Sequence, residues 1–219
     1  MDLETFVKEL EASNNQVLDQ LRAMDARKAF GEGNLDVKSL LKIALKNEVE
    51  AAEIAARWIE TTPQVEVKLA LARQAGDEAK HYRLIEHRLK DLGVDLTGFN
   101  PLAQGYSPLF QYLTTLTDMI ERVAAGQFTR EAIALIKNQQ FIEFCEAVGD
   151  PVTATLYRDV IQQDERFHHE LGRELLRKYA STPEQQERAR RAAVRTLELA
   201  EELQDLAWTK AGIHHAPGC

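Results

Sequence analysis

Cysteine, glycine and proline are all scarce in this chain, and no long apolar run interrupts its charge. There are 2 cysteines, 11 glycines and 6 prolines in 219 residues. Cys145 and Cys219 cannot build a disulfide framework, and they point to a reducing compartment, the cytoplasm. So little glycine and proline excludes collagen-like and low-complexity classes. No stretch of about 18 apolar residues occurs, so no membrane span is expected. The opening MDLETFVKEL mixes charge into every turn, unlike a signal peptide. Basic residues are also the minority: 27 Lys and Arg against 35 Asp and Glu give a net charge of −8. An acidic chain lacks the positive surface that displaces counterions from phosphates, so nucleic acid is not an expected partner.

What the chain has in quantity is Ala, Leu, Glu and Arg, the strong helix formers. No segment alternates with period two, and no linker divides the sequence. The expectation is an all-α fold in a single domain over residues 1–219. The helix boundaries are marked by four dipeptides, Thr62-Pro63, Ser107-Pro108, Asp150-Pro151 and Thr182-Pro183. A short polar residue followed by proline is the signature of a helix start, and Gln185 completes a capping box with Thr182. These marks predict helices over 2–24, 36–60, 63–92, 108–125, 129–148, 151–180 and 183–210. A glycine-containing loop, 30–34, follows the first, and Gly126 is a weak point before the fifth. The 93–106 loop is long enough to cross the end of a bundle.

Carboxylates fall where apolar residues belong. Helix 36–60 carries Val37, Leu41, Ala44, Glu48, Ala51, Ala55 and Ile59 on one stripe. Helix 63–92 carries Val67, Leu71, Gln74, Glu78, His81, Ile85 and Leu92, and helix 151–180 carries Ala154, Tyr157, Ile161, Glu165, His168, Gly172, Leu175 and Tyr179. On helix 129–148, Phe128, Glu131, Leu135, Ile142 and Cys145 can share a face. A buried carboxylate costs several kcal/mol (about 3–5 when left unpaired) unless it is paired or bound to metal. Four glutamates contribute −4, and two divalent cations would neutralise them. Level residues in an antiparallel pair lie equally far from the turn. Glu48 and Glu78 have their midpoint at 63, and Glu131 and Glu165 at 148, both at predicted turns. One Glu-x-x-His is weak, but here it occurs twice, as Asp77-Glu78-Ala79-Lys80-His81 and Asp164-Glu165-Arg166-Phe167-His168. Each has a partner glutamate on the preceding helix, which is the four-helix di-metal pattern. Asp77 and Asp164 are candidates for the carboxylates that orient metal-bound histidines.

Alternatives stay open at several positions. Glu50 or Glu53 could replace Glu48. Glu131 could be a helix-start acid favoured by the dipole, with Glu143 as the substitute. His87 and His169 fall off the inner stripes and are expected in solvent. Tyr82 and Tyr157 are expected to line the core, Cys145 to pack there, and Arg188, Arg190, Arg191 and Arg195 to form a solvated face. The tail HHAPGC, residues 214–219, is expected to fray, with stray metal binding by His214, His215 and Cys219 the alternative.

The segments AGDEAKHYRLIEHRLKDLG and GDPVTATLYRDVIQQDERFHHELG, with Glu48-Val49-Glu50-Ala51-Ala52, resemble the ferritin-like di-iron carboxylate superfamily. The likeness runs from about Val37 to Tyr179, toward a bacterial branch related to the tRNA-modifying di-iron hydroxylase. It implies a ferritin-like four-helix bundle with a long crossover connection and extra helices at both ends. It also implies two iron ions, or manganese or a mixed Mn/Fe pair, held by Glu48, Glu78, His81, Glu131, Glu165 and His168. The implied activity is O2-dependent oxidation or hydroxylation of a small organic substrate. No GxGxxG follows a strand, so a separate reductase would supply the electrons. A ferroxidase, peroxide-consuming or manganese protein is the alternative within metal chemistry, and a metal-free helical scaffold the alternative outside it. The oligomeric state, a homodimer included, stays open.

Overall fold

The computed structural model describes residues 1–23, 36–211 and 216–218, with the backbone alone in 205–211. Met24, the 30–34 loop, His214, His215 and Cys219 lie outside the described residues; Pro217 and Gly218, expected to fray, are instead buried, because Asn47 and Asn138 bond the peptide unit between them. Every regular element among the described residues is helical. They are α1 (Leu3–Arg22), α2 (Val37–Thr61), α3 (Val65–Asp91), α4 (Pro108–Thr115), α5 (119–147), α6 (151–179) and α7 (Pro183–Ala211). None is long and apolar enough to cross a membrane.

Three of the four proline marks work as expected. Ser107 accepts from the Phe110 N–H and Asp150 from that of Thr153, each with proline in the first turn. Thr182 and Gln185 cap each other reciprocally at 3.0 and 3.2 Å. Thr62-Pro63 does not start a helix. Thr62 ends α2, its hydroxyl donating to the Trp58 carbonyl at 2.7 Å, and α3 begins at Val65. Nor does a helix end near Gly126. The interruption lies at 116–118, where Asp118 caps the new helix through Ile120 N–H at 2.9 Å. From Met119 the backbone runs unbroken to Ala147, with a π-helical stretch at Ala124–Arg130. A second π-helical stretch, Tyr157–Ile161, lies within α6. Gly126 is needed for contact instead: a Cβ there would meet the Trp58 ring at 2.9 Å.

Directions follow from the packing. One apolar cluster joins Ile54 and Trp58 of α2, Val67 and Leu71 of α3, Ile120 and Phe128 of α5, and Leu175 and Leu176 of α6. A second joins Leu41 and Leu45, Ile85 and Leu89, Phe141 and Cys145, and Ala154 and Ile161 of the same four helices. Helices α3 and α5 therefore run one way, and α2 and α6 the other. α3 ends at the second cluster and α5 begins at the first, so the 92–118 connection, with α4 in it, travels the length of the bundle. Glu50 and Glu53 of α2 hold that connection. Glu50 accepts from Ser107 N–H at 2.7 Å and Ser107 Oγ at 2.5 Å, and Glu53 accepts from Tyr106 Oη at 2.8 Å. α1 packs on α6, α7 and α5. Its ion pairs to α6 include Arg173–Glu11 and Arg177–Glu4.

A candidate metal centre

Between the two apolar clusters lies a polar layer. Glu48, Glu78, His81, Glu131, Glu165 and His168 are all buried, none more than 1% exposed. Each of the four helices contributes, and the six ligand candidates read from the sequence come together in two overlapping groups. Glu48, Glu78, His81 and Glu165 form one; Glu78, Glu131, Glu165 and His168 form the other. Within each group one ligand atom per residue lies within 4.8 Å of every other. Glu78 and Glu165 belong to both.

The histidines are aimed by atoms on both sides of the ring. His81 Nδ1 lies 3.1 Å from Glu78 and 3.4 Å from Glu48; His168 Nδ1 lies 3.4 Å from Glu165 and 3.6 Å from Glu78. The outer nitrogens cross over. His81 Nε2 sits 3.0 Å from Asp164, and His168 Nε2 sits 3.1 Å from Asp77. Each Asp-Glu-x-x-His helix thus orients the histidine of the other. Lys80 closes this outer ring, reaching Asp164 at 2.5 Å and Asp77 at 3.4 Å. An imidazole held at one nitrogen by a carboxylate presents a fixed lone pair at the other.

The electrostatics follow from burial. Desolvation lifts Glu48 to about 7 against the opposing pull of His81, and lifts Glu131 well above the usual carboxylate range, helped by Glu165 and Glu78. Burial acts against charge on Glu78 too, but two neighbouring imidazoles and Arg130 hold it down at about 2. Desolvation alone would depress both histidines. Glu48 and Glu78 outweigh it for His81, held up to about 12, and Asp77 and Glu165 outweigh it for His168, held up to about 11. Without metal, the layer is stabilised by protons.

The residues fit a metal pair. Both oxygens of Glu48 and Oε1 of Glu165 are buried without a hydrogen bond. Such atoms are costly unless something accepts their charge. Carboxylate and imidazole donors suit first-row divalent ions. The buried carboxylate and histidine groups could therefore hold a metal ion.

Other expectations need correction. Glu131 is not near a helix start; it is mid-helix in α5, because the helix begins twelve residues earlier at Met119. Gln74 donates to it at 2.6 Å, and Gln127 to Gln74 at 2.7 Å. Glu143 is exposed and accepts from Gln139 at 2.9 Å. Glu50 is buried but faces Ser107, away from the ligand groups. His87 is exposed as expected, whereas His169 is not in solvent: its Nδ1 lies 2.8 Å from the Phe128 carbonyl and its ring stacks on Phe128. Tyr157 is fully buried edge-on to Phe141, and Tyr82 packs at the margin of the second cluster. Cys145 is buried, with desolvation pushing its thiol up. Arg188, Arg190, Arg191 and Arg195 form ion pairs at the surface. The sequence reading missed Gln127, Arg130 and Asn138. Their signal was weak because α5 is buried on nearly every side between Ile120 and Ala134, which erases a readable period.

The chain belongs to the family described as protein of unknown function (DUF455), which matches residues 13–216 and so includes all six of these side chains. No curated protein and no solved structure matches it.

Proposed function

We propose that this protein is a ferritin-like di-metal oxidase or oxygenase that works with two iron ions. The observation that carries the reading is the pair of overlapping ligand groups with buried carboxylate oxygens lacking partners. Glu48 and His81 would hold one ion, Glu131 and His168 the other, and Glu78 and Glu165 both. Four carboxylates against two divalent ions leave the layer neutral with both imidazoles uncharged. When bound, such a pair supplies electrons to O2 for oxidation of an organic substrate. The protein's own part is positional: Asp164 and Asp77 fix the imidazole tautomers, and Gln74 orients Glu131. The two apolar clusters keep bulk water from the layer. The long crossover connection between α3 and α5 supports the ferritin-like reading. A cavity of about 510 Å³ between α1, α5 and α6, lined by Phe128, Leu135, Gln162 and His169, offers room for the substrate. A separate cytoplasmic reductase would renew the reducing equivalents.

Anaerobic loading followed by metal analysis tests this. The expected result is about two Fe per chain, lost in Glu78→Ala and Glu165→Ala, with O2 uptake on addition of a reductant. No stoichiometric metal would refute it. Equal loading with peroxide turnover and no substrate oxidation would favour the ferroxidase or manganese alternative.

A further inference from the structure

Pro217 and Gly218 are buried, although nothing in their sequence marks them for the interior. Asn47 Nδ2 donates to the Pro217 carbonyl at 2.9 Å, and the Gly218 N–H donates to Asn138 Oδ1 at 2.7 Å. That carbonyl and that N–H belong to one peptide unit. Two asparagines, one on α2 and one on α5, therefore satisfy both polar ends of a single peptide group, as a buried peptide requires. Asn138 is itself fully buried and keeps its Nδ2 without a partner, a donor left over for another carbonyl. The flanking chemistry is as specific. Proline brings no N–H that would need a further acceptor. Glycine is required next: its φ is +91°, and a Cβ there would lie 2.9 Å from Glu48 Oε1 and 3.3 Å from Asn47 Cβ. Glu48 is the ligand candidate whose two oxygens have no hydrogen bond. Beside the grip, a cavity of about 220 Å³ has Ala216 in its wall together with Asn47, Glu50, Ser107 and Arg130. It leaves room for residues that precede the gripped unit.

We propose that Asn47 and Asn138 form a peptide-backbone clamp on the Glu48 side of the metal centre. The ligand it recognises is a peptide with an alanine-proline-glycine sequence, and in this protein the clamp is filled by the chain's own Ala216–Gly218. The clamp is a feature of the polypeptide; only its role as a cover over bound metal rests on the di-metal reading. One carboxamide supplies the donor and the other the acceptor at the two opposite ends of the peptide group, a pairing that matches a peptide and no simple anion or cation. While the clamp is filled, Gly218 lies beside the Glu48 carboxylate and covers it on that side.

Amide exchange in the metal-free full chain tests the clamp without reference to metal. The Gly218 amide is expected to exchange at least about 100-fold more slowly than in an unstructured peptide, and Asn138→Ala and Asn47→Ala should each remove most of that protection. Exchange of Gly218 at the unstructured rate in the unaltered protein overturns the proposal. The second arm uses iron-loaded protein and a chelator. Gly218→Val and Asn47→Ala should release iron about tenfold faster, as expected for one lost hydrogen bond or its steric equivalent, at unchanged equilibrium stoichiometry. Millimolar acetyl-Ala-Pro-Gly-amide should slow release from Gly218→Val back toward the original rate, and acetyl-Ala-Pro-Val-amide should not. Release at the original rate in both variants, or no difference between the two peptides, overturns the proposal. Gly218 protection in a chain that binds no iron would sink the di-metal reading and leave the clamp; two bound irons with an unprotected Gly218 would do the reverse.

Discussion

Filling the polar layer with metal should expel protons, and the structure sets how many. At pH 7 the metal-free layer holds one extra proton on His81 and one on His168, since their neighbours keep them charged up to about 12 and about 11. Glu48, near 7, holds about half of one, and burial and Glu165 raise Glu131 in the same direction. A metal takes the lone pairs that these protons occupy, so loading two divalent ions should release about two to three protons. Affinity for the pair then strengthens by about 3–4 kcal/mol per pH unit around neutrality. Calorimetric titration of metal-free protein with ferrous ion, under argon in two buffers of different ionisation enthalpy, reads the number directly. Ions held by solvated surface carboxylates would release almost none. Fewer than about one proton per pair would refute the placement of the ligands in a desolvated layer.

Four further outcomes follow from the same geometry. Metal-free protein should lose stability as pH rises from 5 to 7. Glu48 moves from 4.5 to about 7 on folding, so its stabilisation is complete below 4.5 and gone above 7, and His81 and His168, raised from 6.5, continue the loss upward; a urea midpoint in chelator that rises over this interval would contradict the signs. Asp164→Asn or Asp77→Asn should weaken metal binding by about 10–100-fold with helical content unchanged, read by competition with a coloured chelator; unaltered affinity would remove them from the site. Gly172→Ala should cost more than about 2 kcal/mol of stability, because its Cβ would lie 2.7 Å from the backbone of Gln127 and Phe128; thermal unfolding checks it, and a change near zero would mean that α5 and α6 part easily. Arg88→Ala should cost about 1–2 kcal/mol, since Arg88 donates to Asp150 at 2.7 Å and to Thr153 at 2.8 Å at the start of α6; denaturant midpoints read it, and no shift would assign that junction to the cap alone.

What could be read in the sequence was local. Caps at Ser107, Asp150 and Thr182 gave helix starts, and a glutamate in an apolar stripe marked Glu48, Glu78 and Glu165 as inward-facing. The repeated Glu-x-x-His added both histidines, since three residues apart is one face of a helix. The rest depends on contacts distant in sequence. The exchange of Asp77 and Asp164 between histidines 91 and 83 residues away has no local signature. The π-helical stretches answer to tertiary packing rather than to composition. Thr62-Pro63 misled because the same dipeptide also suits a helix end, where the threonine hydroxyl bonds back to Trp58. The true interruption at 116–118 carries neither glycine nor proline, so Gly126 attracted the boundary instead.

The polar layer runs as a seam through the middle of the bundle, with an apolar cluster on either side. Every one of the four helices crosses that seam, so neither half can be completed while it is unsettled. A nascent chain that closes before meeting metal does so around hydrogen ions, which then act as placeholders. Under the di-metal reading, taking up metal would then be an exchange of cations for protons inside a finished protein.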